Sequence, residues 1–133
     1  MNSIKMLGSI QVLDSINDVE YIATEEGSVG PLLYGDAMSC HVIRMKQGYY
    51  PPHPHAFELT IMVLDGECDL LQGDHRHRMR KHSLMMVRKN EEHGWEVMGP
   101  SDCIIYVMVA PKQWTRSDFY AKARKTSAAT RTL

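Results

Sequence analysis

Gly48-Tyr49-Tyr50-Pro51-Pro52-His53-Pro54-His55-Ala56-Phe57-Glu58-Leu59-Thr60-Ile61-Met62-Val63-Leu64-Asp65-Gly66 places two histidines two residues apart in chain that its own prolines hold extended. The residue before a proline is pushed towards β or polyproline geometry, so Pro52 and Pro54 straighten the backbone around His53. Side chains at i and i+2 share one face of extended chain, and both imidazoles are therefore expected to point the same way. A third histidine, His93, follows the predicted strand Ser83–Arg88 and the short turn Lys89-Asn90-Glu91-Glu92, which is expected to bring it to the same end of an adjacent strand. Three neutral imidazoles converging at about 2.0–2.2 Å from one point suit a single divalent transition ion: iron, zinc, manganese, nickel or copper.

Outward from this stretch, apolar residues recur with strand-like period through 38–46, 57–65, 67–72, 75–79, 83–88, 94–98 and 102–110. Glycine or proline at 48, 51, 52, 66, 73, 99 and 100 punctuates most of the gaps. Ser9–Leu13 and Val29–Leu33 read as further, weaker strands. The pattern is all-β, with enough strands to fold a sheet back into a barrel or jelly roll. A chain of 133 residues fits one domain, expected to span 1–111. Residues 112–133 follow as a short C-terminal helix in WTRSDFYAKARK and then a frayed basic tail.

A formal net charge of −1 provides no overall field that would draw the chain to nucleic acid or to an anionic membrane, and neither is expected as a partner. The first residues lack a cationic start followed by an apolar run, and no stretch approaches about 18 uninterrupted apolar residues, so a cytoplasmic protein is expected. Cys40, Cys68 and Cys103 are odd in number, widely spaced and free of any CxxC pair; they read as buried thiols rather than a disulfide framework or a cysteine zinc site.

Around Gly48, His53, His55, Gly66 and His93, over roughly residues 38–110, the sequence resembles the cupin superfamily. The resemblance implies a double-stranded β-helix, or jelly-roll, barrel with His53, His55 and His93 as metal ligands. His82 and Arg88 stand where the family usually has the glycine and proline of its second motif. Counting back from Gly66 puts Leu59, not a carboxylate, at the family's usual non-histidine ligand position. Glu58 is one residue out of register and reaches the ion only if a β-bulge turns it inward. Three histidines plus water is the preferred set, with three histidines plus Glu58 as the alternative.

The resemblance also implies a small oxygen-rich molecule as substrate or ligand. Two functions stand side by side: a metal-dependent enzyme of dioxygenase, isomerase or lyase type, and a non-catalytic module that captures a small ligand or metal. A homodimer is expected, with the N-terminal segment through Val29 exchanged between copies. His41, Tyr49, Phe57, Leu59, Trp95 and Tyr106 are candidates to line the ligand pocket. A second HxH, His75 and His77, alternates with Arg76, Arg78 and Arg80 and reads as an exposed strand with a solvated basic face. The methionines default to adaptable core filling.

Overall fold

Wherever apolar and polar residues alternate, the chain is extended; the computed structural model describes residues 4–24 and 27–113. Its strands are β1 (Ile4–Leu7), β2 (Ile10–Leu13), β3 (Ile22–Thr24), β4 (Gly27–Tyr34), β5 (Ser39–Met45), β6 (Gly48–His53), β7 (Glu58–Asp65), β8 (Cys68–Gln72), β9 (His75–Met79), β10 (Leu84–Val87), β11 (His93–Val97) and β12 (Cys103–Ala110). One 3₁₀ turn, Ile16–Asp18, is capped by the Ser15 hydroxyl, which accepts from the Asn17 amide. The expected C-terminal helix and tail lie outside the described residues.

Two antiparallel sheets form the barrel. The larger runs β10-β7-β12-β5-β4-β3 and the smaller β6-β11-β8-β9, while β1 and β2 make a separate hairpin. On β12, Ile105, Val107 and Val109 face inward against Ile61, Val63 and Leu59 of β7, and the facing wall contributes Trp95, Val97, Cys68 and Met79. Val42, Val63 and Val109 are fully enclosed, and each such side chain stabilises the fold by about 1.5–3 kcal/mol relative to exposure.

Sheet order explains why β6 reads less clearly as a strand than its neighbours. It carries Pro51 and Pro52, which cannot donate ladder bonds, and it occupies the edge of the smaller sheet, where proline is tolerated. β1 and β3 are too short for periodicity to mark them. The arginines of β9 are exposed as expected, but they are paired with carboxylates. Arg76 bonds Asp69 and Glu96 at 2.8 and 2.7 Å, and Arg78 bonds Asp69 and, at 3.1 Å, Glu67. Cross-strand register sets Asp69 opposite Arg78 and beside Glu96. His75 and His77 are exposed.

Candidate metal and ligand site

Register brings the first and third histidines together: His53 of β6 lies directly opposite His93 of β11. The next pair is Tyr50 with Trp95, so Pro51 and Pro52 together oppose the single residue Gly94 in a β-bulge. Gly94 makes this possible. A Cβ there would stand 2.5 Å from the Tyr50 carbonyl oxygen and 2.6 Å from the Pro52 nitrogen. A glycine inside a strand, next to the motif histidine, is the sequence signal for such close backbone approach, and sequence reasoning passed it over.

The three rings converge. Centroids are 4.6 Å apart for His53 and His55, 5.4 Å for His55 and His93, and 6.1 Å for His53 and His93. Imidazoles sharing one ion at metal–nitrogen distances of about 2.0–2.1 Å have centroids about 5 Å apart. As the side chains stand, no group of three or more His, Cys, Asp or Glu among the described residues is placed to hold a metal ion, and His53–His93 is the widest of the three spacings.

Protonation favours ligation. Nδ1 of His53 lies 3.2 Å from the Pro51 carbonyl oxygen. A carbonyl only accepts, so Nδ1 carries a hydrogen, and the tautomer this selects is the one that leaves the lone pair on Nε2. His93 is buried, and burial pushes its pKa below the usual histidine range. The Glu91 backbone pulls the other way and His53 adds a further downward push. No hydrogen bond of ordinary geometry reaches its buried Nδ1 among the described residues. A neutral imidazole with an orphaned buried nitrogen beside two others fits a divalent ion. His55 stacks on Phe57, centroids 4.7 Å apart, which fixes its ring.

Behind the histidines lies a cavity of about 430 Å³ between the two sheets. Of the predicted lining residues, His41, Tyr49, Leu59 and Trp95 border it. Phe57 is buried but supports His55 instead of lining the space. Tyr106 is a correction. Because Ile105 and Val107 of β12 take the inner face, alternation turns Tyr106 outward, where its hydroxyl meets Cys40; burial and that contact push its pKa up to about 12. Glu58 is exposed and pairs with Ala110 in unbroken register through Leu59, with no bulge to bring it inward, and it does not border the cavity. Thr24 borders the cavity with a buried Oγ1 that has no partner among the described residues; no pattern in the sequence marks it.

A small antiparallel barrel with a histidine cluster opening on a largely apolar cavity defines the class of this protein. A family model described as the cupin domain matches residues 41–109, and the chain belongs to the cupin family. Solved structures agree on the fold. The polyketide cyclase RemF from Streptomyces resistomycificus is 17% identical at a TM-score of 0.68, the alignment covering 83% of this chain and 91% of that one. An RmlC-like cupin from Shewanella frigidimarina NCIMB 400 is 17% identical at 0.66, covering 89% and 99%. KdgF from Halomonas sp. is 14% identical at 0.65, covering 73% and 92%. No curated protein matches the chain. Among the described residues no helix is long and apolar enough to cross a membrane.

Proposed function

We propose that this cupin is a metal-dependent enzyme in which His53, His55 and His93 hold one divalent transition ion and a small oxygen-bearing substrate occupies the adjoining cavity. The observation that carries this reading is the convergence of three imidazoles, one with a buried Nδ1 that no hydrogen bond of ordinary geometry reaches among the described residues, at the wall of that cavity. When bound, such an ion polarises a carbonyl or activates dioxygen, and three neutral ligands leave its charge available to an anionic or chelating group. A polyketide cyclase on the same fold shows that the barrel can carry catalysis on a small molecule.

The direct test is elemental analysis of untagged protein purified without chelators, beside His53→Ala and His93→Ala. Near-stoichiometric metal in the wild type, lost in both variants with the fold intact by circular dichroism, is the expected result. Retention of metal in either variant defeats the ligand assignment. A non-catalytic, ligand-capturing reading has one observation in its favour: Leu59, buried and bordering the cavity, stands where a carboxylate ligand is usual in the family. Steady turnover of any one substrate by the loaded protein would decide against it.

The protein is further proposed to work in the cytoplasm as a homodimer joined through the β1–β2 hairpin. A two-stranded hairpin is marginal alone, and Met6, Leu7 and Ile10 are 61%, 70% and 61% exposed. The Gln11 side chain ties it to the barrel by bonding the Tyr34 carbonyl and amide at 2.7 and 3.4 Å. A second copy covering those apolar side chains removes the exposure. Sedimentation is expected to show a dimer that Met6→Lys with Ile10→Lys converts to monomer; a wild-type monomer refutes the arrangement.

A further inference from the structure

The polarity of the cavity is concentrated at its histidine end. Its described lining contains no Lys, Arg, Asp or Glu. Val29, Ile43, Met45, Ile61, Ile105 and Trp95 make most of the rest apolar. Tyr50 lines it too, but its hydroxyl donates to the Lys46 carbonyl at 2.7 Å. Tyr49 is 58% exposed and belongs to the rim. On this wall Thr24 stands out, because burying a hydroxyl without a partner is unfavourable unless something else supplies the bond.

Strand register places Thr24 away from the histidines. It pairs with Gly27, and Gly27 pairs with Met45, beside the corner where β5 passes into β6. His53 stands five residues beyond Gly48 on the facing sheet, opposite His93. At strand rise the two levels are separated on the order of 15 Å along the barrel.

We propose that the cavity selects an elongated ligand with one chelating or anionic head at the three histidines, a neutral apolar and ring-containing body, and a neutral hydroxyl or carbonyl placed for Thr24 at the far end. The head group rests on the metal reading above; the body and tail rest on the lining alone. Trp95 and the aliphatic wall favour a flat ring. Among the described lining residues no Lys, Arg, Asp or Glu is available to pair a charge beside Thr24, so a neutral group is favoured there over an anion or an ammonium. The Thr24 hydroxyl both donates and accepts, so it reads a phenol or a ketone equally well.

Calorimetric titration with cinnamate, 4-hydroxycinnamate and 4-carboxycinnamate tests this, because the three share head and ring and differ only at the far end. The 4-hydroxy compound is expected to bind about fivefold tighter than cinnamate, and the 4-carboxy compound at least about tenfold weaker. Thr24→Val should abolish the hydroxyl preference and Thr24→Ser retain it. Equal binding of all three, a preference that survives Thr24→Val, or binding by none of them overturns the proposal; the 4-carboxy comparison requires no variant and stands even if Thr24→Val does not fold. Metal content measured on each sample separates the two readings. Bound metal without the far-end selectivity defeats this inference alone, and the selectivity without bound metal defeats the metal reading alone.

Discussion

The two sheets of the barrel are built on opposite terms. The larger sheet is apolar on both faces: inward it carries Ile61, Val63, Ile105 and Val107, and outward Met62 and Met108, with Leu84 and Met86 at its edge 66% and 59% exposed. The smaller sheet carries His53, His93 and Trp95 at the cavity, with His55 in the connection that follows β6, and a lattice of Glu67, Asp69, Arg76, Arg78 and Glu96 outward. Non-directional burial holds the larger sheet, and such packing tolerates small shifts in position. The smaller sheet shares that burial through Cys68, Met79, Trp95 and Val97 and adds directional side-chain bonds on its outer face, which fix register. His53 and His93 therefore sit, paired across β6 and β11, on the sheet with the added directional bonds, and rigid elements of that kind suit a ligand set.

The contrast is broken most forcefully at Gly94. In Gly94→Ala the new Cβ meets backbone atoms of Tyr50 and Pro52, which cannot swing away as a side chain would, so β6 and β11 must separate and carry His53 from His93. We expect a loss of about 2–3 kcal/mol by denaturant titration, with metal or ligand affinity falling further than stability alone explains. A loss below about 0.5 kcal/mol would mean that β6 is held as loosely as an apolar edge, and the distinction between the sheets would fail.

Asp69 tests the outward lattice. Its side chain is 5% exposed beneath Arg76 and Arg78, which are themselves 50% and 40% exposed. Burial alone would raise its pKa, but the bonds and charges of Arg78 and Arg76 together outweigh that and hold the carboxyl below its ordinary value of 3.8. The folded protein thus binds fewer protons at this group than the unfolded chain does near that pH. The stability Asp69 contributes is complete above pH 3.8 and is lost as pH falls through the folded value. Asp69→Asn is expected to cost about 1–1.5 kcal/mol at pH 7, less than a fully buried pair because solvent reaches both arginines. Urea midpoints of the two proteins should converge as pH drops below 4. A gap that stays constant down to pH 3 would show that the lattice contributes shape and not charge.

Legibility followed the same division. The apolar strands announced themselves by period, and β5, β7, β8, β9, β10, β11 and β12 lie within a residue or two of where alternation put them. The histidine trio was legible because its spacing and its prolines are local. Tyr106 was misplaced for a physical reason: Ile104, Tyr106 and Met108 alternate with Ile105, Val107 and Val109, and when both faces of a strand are apolar, period cannot say which turns inward. The arginines of β9 were read as solvated because their partners lie 7 to 20 residues away and meet only through register. Thr24 was invisible, since nothing local distinguishes a threonine that lines a cavity from one on any short strand.

The smallest effect separates strain from function in the second motif. His82 stands where cupins usually have glycine, and it takes that glycine's conformation, with φ at +76°. Its amide bonds the Val63 carbonyl at 2.8 Å, while the Val63 amide bonds the Ser83 carbonyl at 3.0 Å, so two backbone contacts to the larger sheet hold the turn and force the left-handed geometry. An L side chain there costs roughly 1–2 kcal/mol, partly offset in His82→Gly by glycine's greater loss of backbone freedom, about 0.5–1 kcal/mol. The variant should be more stable by about 0.5–1 kcal/mol, raising Tm by roughly 2–5 °C. Asn90, at φ +67°, adopts the same region more readily, and Asn90→Gly should move Tm less. Because His82 is exposed and its contacts to β7 are made by backbone, metal content should not change. If His82→Gly instead lowers metal binding or ligand affinity, the imidazole has a role at the site that strain does not explain, and the turn of the second motif belongs to function.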